Sequence, residues 1–108
     1  MYKTLRNIAL AGFLTAAIAP IAEAAPAKIW TSYENTTLSQ QQCKSKAERT
    51  IRDAGYDYQV VQSGVYGEDG DYSVTIRCMT DYNLVFFIVT HPNTDYASEE
   101  LRLVIDDF

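Results

Sequence analysis

The sequence is poor in the residues from which most catalytic and metal sites are built. Its 108 residues hold one histidine, two cysteines, one tryptophan and three prolines. A single histidine supplies neither a zinc site of the usual ligand set nor a helical histidine pair. No metal and no cofactor is therefore expected. The two cysteines are far apart, which removes a Cys-x-x-Cys redox centre. Positive charge is also scarce, with nine Lys and Arg against fourteen Asp and Glu. Phosphate backbones and anionic lipid surfaces are bound through clustered Lys and Arg. Neither nucleic acid nor membrane is an expected partner. After residue 24 no apolar run approaches the length of about 18 residues that a membrane-spanning helix needs.

What is present starts with a leader. Lys3 and Arg6 precede the apolar stretch Ile8–Ala22, which ends in Ala22-Glu23-Ala24. A basic start, a short apolar core and an A-x-A end read as a secretory signal peptide over residues 1–24. Residues 25–108 then form one small exported domain, secreted or periplasmic. Without Lys3, Arg6 and Glu23, that domain carries seven basic and thirteen acidic side chains, a net charge of −6. Such a surface suits a basic protein as partner.

Export gives the cysteines a meaning. In an oxidising compartment two cysteines predict one disulfide, Cys43 to Cys78. Closing a loop of that length removes unfolded-state entropy equivalent to about 3–4 kcal/mol. A domain this small has a marginal core, so the cross-link matters to its stability.

Local patterns predict the order β-α-β-β-β-α, an α+β domain with a mainly antiparallel sheet, two helices and one disulfide. Ile29–Asn35 is a strand. Ser39-Gln40-Gln41-Gln42 is a capping box that starts a helix over Gln40–Ala54, stopped by Gly55. The inner stripe is Cys43, Ala47, Ile51 and Ala54, with Lys44, Glu48 and Arg52 as an exposed charge ladder. Tyr56–Tyr66 reads as one strand, bulged near Gly64. Gly67–Asp71 is turn chemistry leading into Tyr72–Met79, where Val74, Ile76 and Cys78 share one face. After a turn at Asp81-Tyr82-Asn83, Leu84–Thr90 is an unbroken apolar strand. Thr94 or Asp95 caps the second helix, whose stripe is Ala97, Leu101, Val104, Ile105 and Phe108.

Candidate sites are few. Cys43 and His91 could be drawn as a thiolate and its base, but the second cysteine favours a structural disulfide. His91 reads as a loop histidine. Glu68, Asp69 and Asp71 crowd one turn, yet their spacing misses a calcium loop. No acid lies in an apolar context that marks it as catalytic, so no catalytic residue is assigned. Asn35-Thr36-Thr37 is a glycosylation sequon in a eukaryotic host.

Two features point to contact. The strand Leu84–Val89 is apolar on both faces, with Leu84, Phe86 and Ile88 opposite to Val85, Phe87 and Val89. If both helices cover one face, one row stays open as an interaction patch or dimer interface. The expected surface is Val85, Phe87 and Val89 with the strand-end tyrosines Tyr58, Tyr66 and Tyr72. The reading is an exported, non-catalytic protein that acts by protein contact, as an inhibitor, immunity-like protein or accessory subunit, or through self-association. The alternative is a carrier of a small ligand or ion.

Overall fold

In the computed structural model, which describes residues 26–108, the chain forms five antiparallel strands and two helices. The expected leader, residues 1–24, lies outside the described residues. Strand β1 is Lys28–Asn35, helix α1 is Gln40–Asp53, and β2 and β3 are Asp57–Val61 and Gly64–Asp69. Strand β4 is Tyr72–Met79, β5 is Leu84–His91, and helix α2 is Thr94–Asp107. The α+β class, the antiparallel sheet, the two helices and the disulfide are as expected.

The strand count is one higher than expected. The stretch read as a single bulged strand is a hairpin, with Val61 opposite Gly64 across Gln62-Ser63. Neither turn residue carries the usual hairpin signature of Asn-Gly or Asp-Gly. Gly64 is needed because a Cβ there would lie 2.0 Å from the Ile76 carbonyl oxygen. The second hairpin does follow its chemistry, since Gly70 takes φ +62° at the first position of the turn between β3 and β4.

The sheet order is β1-β5-β4-β3-β2. The chain enters at one edge, and α1 carries it across to the other. It then returns strand by strand to lay β5 beside β1.

Helix α1 starts as its capping box dictates. The Gln42 amide donates to the Ser39 hydroxyl at 3.1 Å, and the Ser39 amide donates to the Gln42 side chain at 2.9 Å. Gly55, at φ +91°, ends it. Its buried face is Cys43, Ala47, Thr50 and Ile51, so Thr50 replaces the expected Ala54, which is exposed. Burial of Thr50 leaves no unpaired hydroxyl, because it donates to the Lys46 carbonyl at 2.9 Å. The expected ladder of ion pairs does not form. Glu48 instead accepts from the Tyr58 hydroxyl, and Arg52 pairs with Asp53.

Helix α2 is capped by Asn93, one residue before the expected Thr94, through its side-chain oxygen and the Tyr96 amide. Ala97, Leu101 and Val104 are buried, and Ile105 and Phe108 flank the core.

Both helices lie on the same side of the sheet. The core between them holds Val65, Val74, Ile76, Cys78, Val85, Phe87 and Val89. Cys43 and Cys78 are bonded inside it, with their Cα atoms 6.0 Å apart. Gly67 sits where α1 crosses β3, and a Cβ there would lie 2.7 Å from Ile51 Cγ2. Phe108 closes the C-terminal end by packing edge-on against Phe87, 5.3 Å between centroids, with Lys46 above its ring.

Candidate functional site: the open face of the sheet

Strand geometry divides every side chain of the sheet between two faces. The face away from the helices carries Ile29, Thr31 and Tyr33 from β1, and Leu84, Phe86, Ile88 and Thr90 from β5. Strand β4 adds Ser73, Thr75, Arg77 and Met79. The β2–β3 hairpin adds Asp57, Gln59, Val61, Tyr66 and Glu68. The pairing register fixes this set: Thr31 lies opposite Ile88, Ile88 opposite Thr75, and Thr75 opposite Tyr66.

The expected interaction row is therefore corrected. Val85, Phe87 and Val89 are at most 1% exposed, because they share the disulfide's side of the sheet, which the helices cover. The row that the described residues leave uncovered is Leu84, Phe86 and Ile88, each half-buried.

The three expected tyrosines do not share a face. Tyr66 stands on the open face and donates to Glu68. That hydrogen bond raises the Tyr66 phenol above its ordinary value. Tyr58 is on the helix side, bonded to Glu48 of α1 at 3.1 Å. Tyr72 is also on the helix side and stacks on His91 with ring centroids 4.3 Å apart. Only Tyr66 belongs to the surface.

The open face is not uniform. Ile29 and Tyr33 are 66% and 62% exposed, and Tyr33 leans on Phe86 with centroids 5.9 Å apart. Together with Ile88 and Leu84 they make an apolar patch over β1 and β5. A solvated antiparallel face is normally polar at these positions. Beside it runs a hydroxyl band of Thr31, Ser73, Thr75 and Thr90, in which Ser73 and Thr90 are 2.6 Å apart. At the far side Asp57 lies directly opposite Glu68, and the two line an open depression with Tyr58, Gln59 and Tyr66. Like charges in cross-strand register are unfavourable, and an approaching cation relieves them. Arg77, beside Phe86, is the face's basic side chain.

The helix side uses its polar groups internally. His91 ends β5 rather than lying in a loop, and its Nδ1 accepts from the Asn93 amide at 2.9 Å. Tyr96 also packs against it edge-on, 5.3 Å between centroids. The Trp30 indole donates to the Thr94 hydroxyl at 2.9 Å. Tyr56 is buried and donates to Glu100 at 2.5 Å. Burial first, and that hydrogen bond second, push its phenol well above the usual range. Among the described residues no three His, Cys, Asp or Glu side chains converge as metal ligands. No described helix is long and apolar enough to cross a membrane.

The alternation in β5 is plain in the sequence, but the exposed row is the opposite of the expected one. The signal that fixes it is Cys78. A turn of four residues between Met79 and Leu84 places Cys78 opposite Val85, so the disulfide marks the covered row. No known protein-family model matches the chain, and no curated protein is similar to it in sequence.

Proposed function

We propose that this protein is exported and acts by non-catalytic contact with another protein through the open face of its sheet. The observation that carries this reading is the uncovered patch of Ile29, Tyr33, Leu84, Phe86 and Ile88. Both helices and the cross-link lie on the opposite side, so these side chains contribute little to the core. Large apolar groups gathered on one otherwise polar face mark interaction surfaces. Asp57 and Glu68 at the far side favour a partner that brings a basic group to that end while an apolar group meets Phe86. Inhibition, protection or an accessory role all fit such a contact. Export is supported by the leader pattern and by a disulfide seated in the core. The non-catalytic part is supported by His91, whose Nδ1 accepts from the Asn93 amide at the start of α2 and whose ring packs against Tyr72 and Tyr96. A carrier role has less support, because the depressions beside Arg49 and Asp107 and beside Tyr66 are open to solvent rather than enclosed.

The test is affinity capture from envelope or secreted extract, comparing the natural protein with a Phe86→Ser/Ile88→Ser variant. A stoichiometric protein retained by the first and lost by the second supports the reading. Retention of nothing across a range of salt, or equal retention by both, overturns it.

A further inference from the structure

Among the described residues none pairs with the outer edge of β1 along its whole length, and the strand lacks the devices that usually protect such an edge. Its eight residues contain no proline and no bulge, and its register with β5 runs unbroken from Lys28 to Asn35. Its charged side chains are Lys28 and Glu34, one near each end. The opposite edge strand, β2, has only five residues.

The direction of its backbone groups follows from one bond. The Thr36 amide donates to the Asn83 carbonyl at 2.9 Å, continuing the ladder with β5. Hydrogen-bonding direction alternates from residue to residue along an antiparallel pair. Residues 28, 30, 32 and 34 therefore turn their amides and carbonyls to β5. Ile29, Thr31, Tyr33 and Asn35 turn theirs outward.

We propose that this edge pairs antiparallel with the same edge of a second copy, about a two-fold axis through Thr31. Each residue then meets one whose number completes the same sum. Thr31 faces itself, Ile29 faces Tyr33 of the partner subunit, and Lys28 faces Glu34 of the partner subunit. The outward groups of Ile29, Thr31 and Tyr33 satisfy one another in about six backbone hydrogen bonds. Lys28 and Glu34 fall at positions without backbone bonds, where side chains approach more closely. By symmetry there are two such ion pairs. Sliding the axis to Trp30 or Ser32 keeps the backbone bonds but separates Lys28 from Glu34, so charge selects the Thr31 register. Ile29 and Tyr33 of the two copies meet on the open face and join the two apolar patches into one. The contact is isologous and closes at two copies.

This pairing is independent of the partner contact proposed above, and different variants test it. The protein is produced from the full sequence in an exporting host, and its mass is measured by sedimentation velocity over a wide concentration range. A dimer is expected. Thr31→Pro abolishes it while leaving far-UV circular dichroism unchanged, because the amide it removes faces away from β5. Lys28→Glu and Glu34→Lys each place like charges opposite one another and weaken the dimer about tenfold. Combining the two restores it to within about threefold of the natural affinity. A monomer at all concentrations, including one whose edge is taken by a different protein, overturns the proposal. A double exchange no better than either single one does so too. If Thr31→Pro disturbs the dichroism, the charge exchange decides alone. Phe86→Ser/Ile88→Ser, which tests partner capture, is expected to remain dimeric.

Discussion

Phe86 and Phe87 are adjacent in sequence, identical in chemistry and opposite in placement, so alanine at each position tests the assignment of the two faces. Phe87 is fully buried and meets the Phe108 ring edge-on. Its removal loses the transfer free energy of a whole aromatic side chain and leaves a cavity that two helices and a disulfide keep from collapsing. Such substitutions cost about 3–5 kcal/mol. A domain of this length has a total stability of about 4–12 kcal/mol, so Phe87→Ala brings it near the edge of unfolding in water. Phe86 is half-exposed and touches Tyr33. It loses about half of a transfer term of roughly 3 kcal/mol and opens no cavity, which gives about 1–1.5 kcal/mol. Urea unfolding followed by circular dichroism separates the two. With a slope of about 1 kcal/mol per molar, the midpoints should differ by about 1.5–4 M, and the slope should not change. Equal shifts, or a larger one for Phe86→Ala, would refute the assignment of Val85, Phe87 and Val89 to the helix-covered face.

Other perturbations probe the elements that hold this arrangement. Replacing both cysteines by alanine should lower stability by about 3–4 kcal/mol, seen in the same urea assay, since the bond closes a loop across 35 positions of sequence. Gly67→Ala should cost about 1–3 kcal/mol, because the added methyl meets Ile51 and Tyr56 where α1 crosses β3; an unchanged melting temperature would count against that contact. Ser39→Ala should cost about 1 kcal/mol by removing one half of the capping box. Tyr56 gives a pH dependence. Its folded-state phenol is raised by burial and by Glu100, so the unfolded chain releases a proton above about pH 10 that the folded chain retains. Stability is then full below about pH 10 and falls above it by up to about 1.4 kcal/mol per unit. Tyr56→Phe should flatten the melting temperature between about pH 9 and 11; an unaltered alkaline slope would sink the assignment.

Much of the fold was legible because its signals are local. The capping box at Ser39, the stop at Gly55, the alternation from Val74 to Cys78 and the turn at Asn83 each act within a few residues. What was not legible depends on distance. The β2–β3 hairpin turns through Gln62-Ser63, and only the approach of Gly64 to the Ile76 carbonyl explains its glycine. Thr50 replaces Ala54 in the core because the second helix and the sheet, not periodicity alone, decide where the stripe of α1 ends. The rows of β5 are equally apolar, so hydropathy could not rank them. Rank comes from the register with β4, and through it from the disulfide.

That register also explains why the open patch is confined to one half of the sheet. On β2, β3 and β4 the outward positions are mostly polar: Asp57, Gln59, Glu68, Ser73, Thr75 and Arg77. These strands follow the usual rule for a sheet with one wet face. Strands β1 and β5 depart from it together, at Ile29, Tyr33, Leu84, Phe86 and Ile88. Folding does not require the departure, because the core row of β5 is complete without it. Nor does strand propensity, because Thr31 and Thr90 supply β-branched residues on the same face without exposing apolar surface. The departure coincides with the longer of the two free edges, and with the edge whose charges are self-complementary. Apolar side chains, unpaired amides and opposite charges thus converge on β1, where another chain can satisfy all three at once.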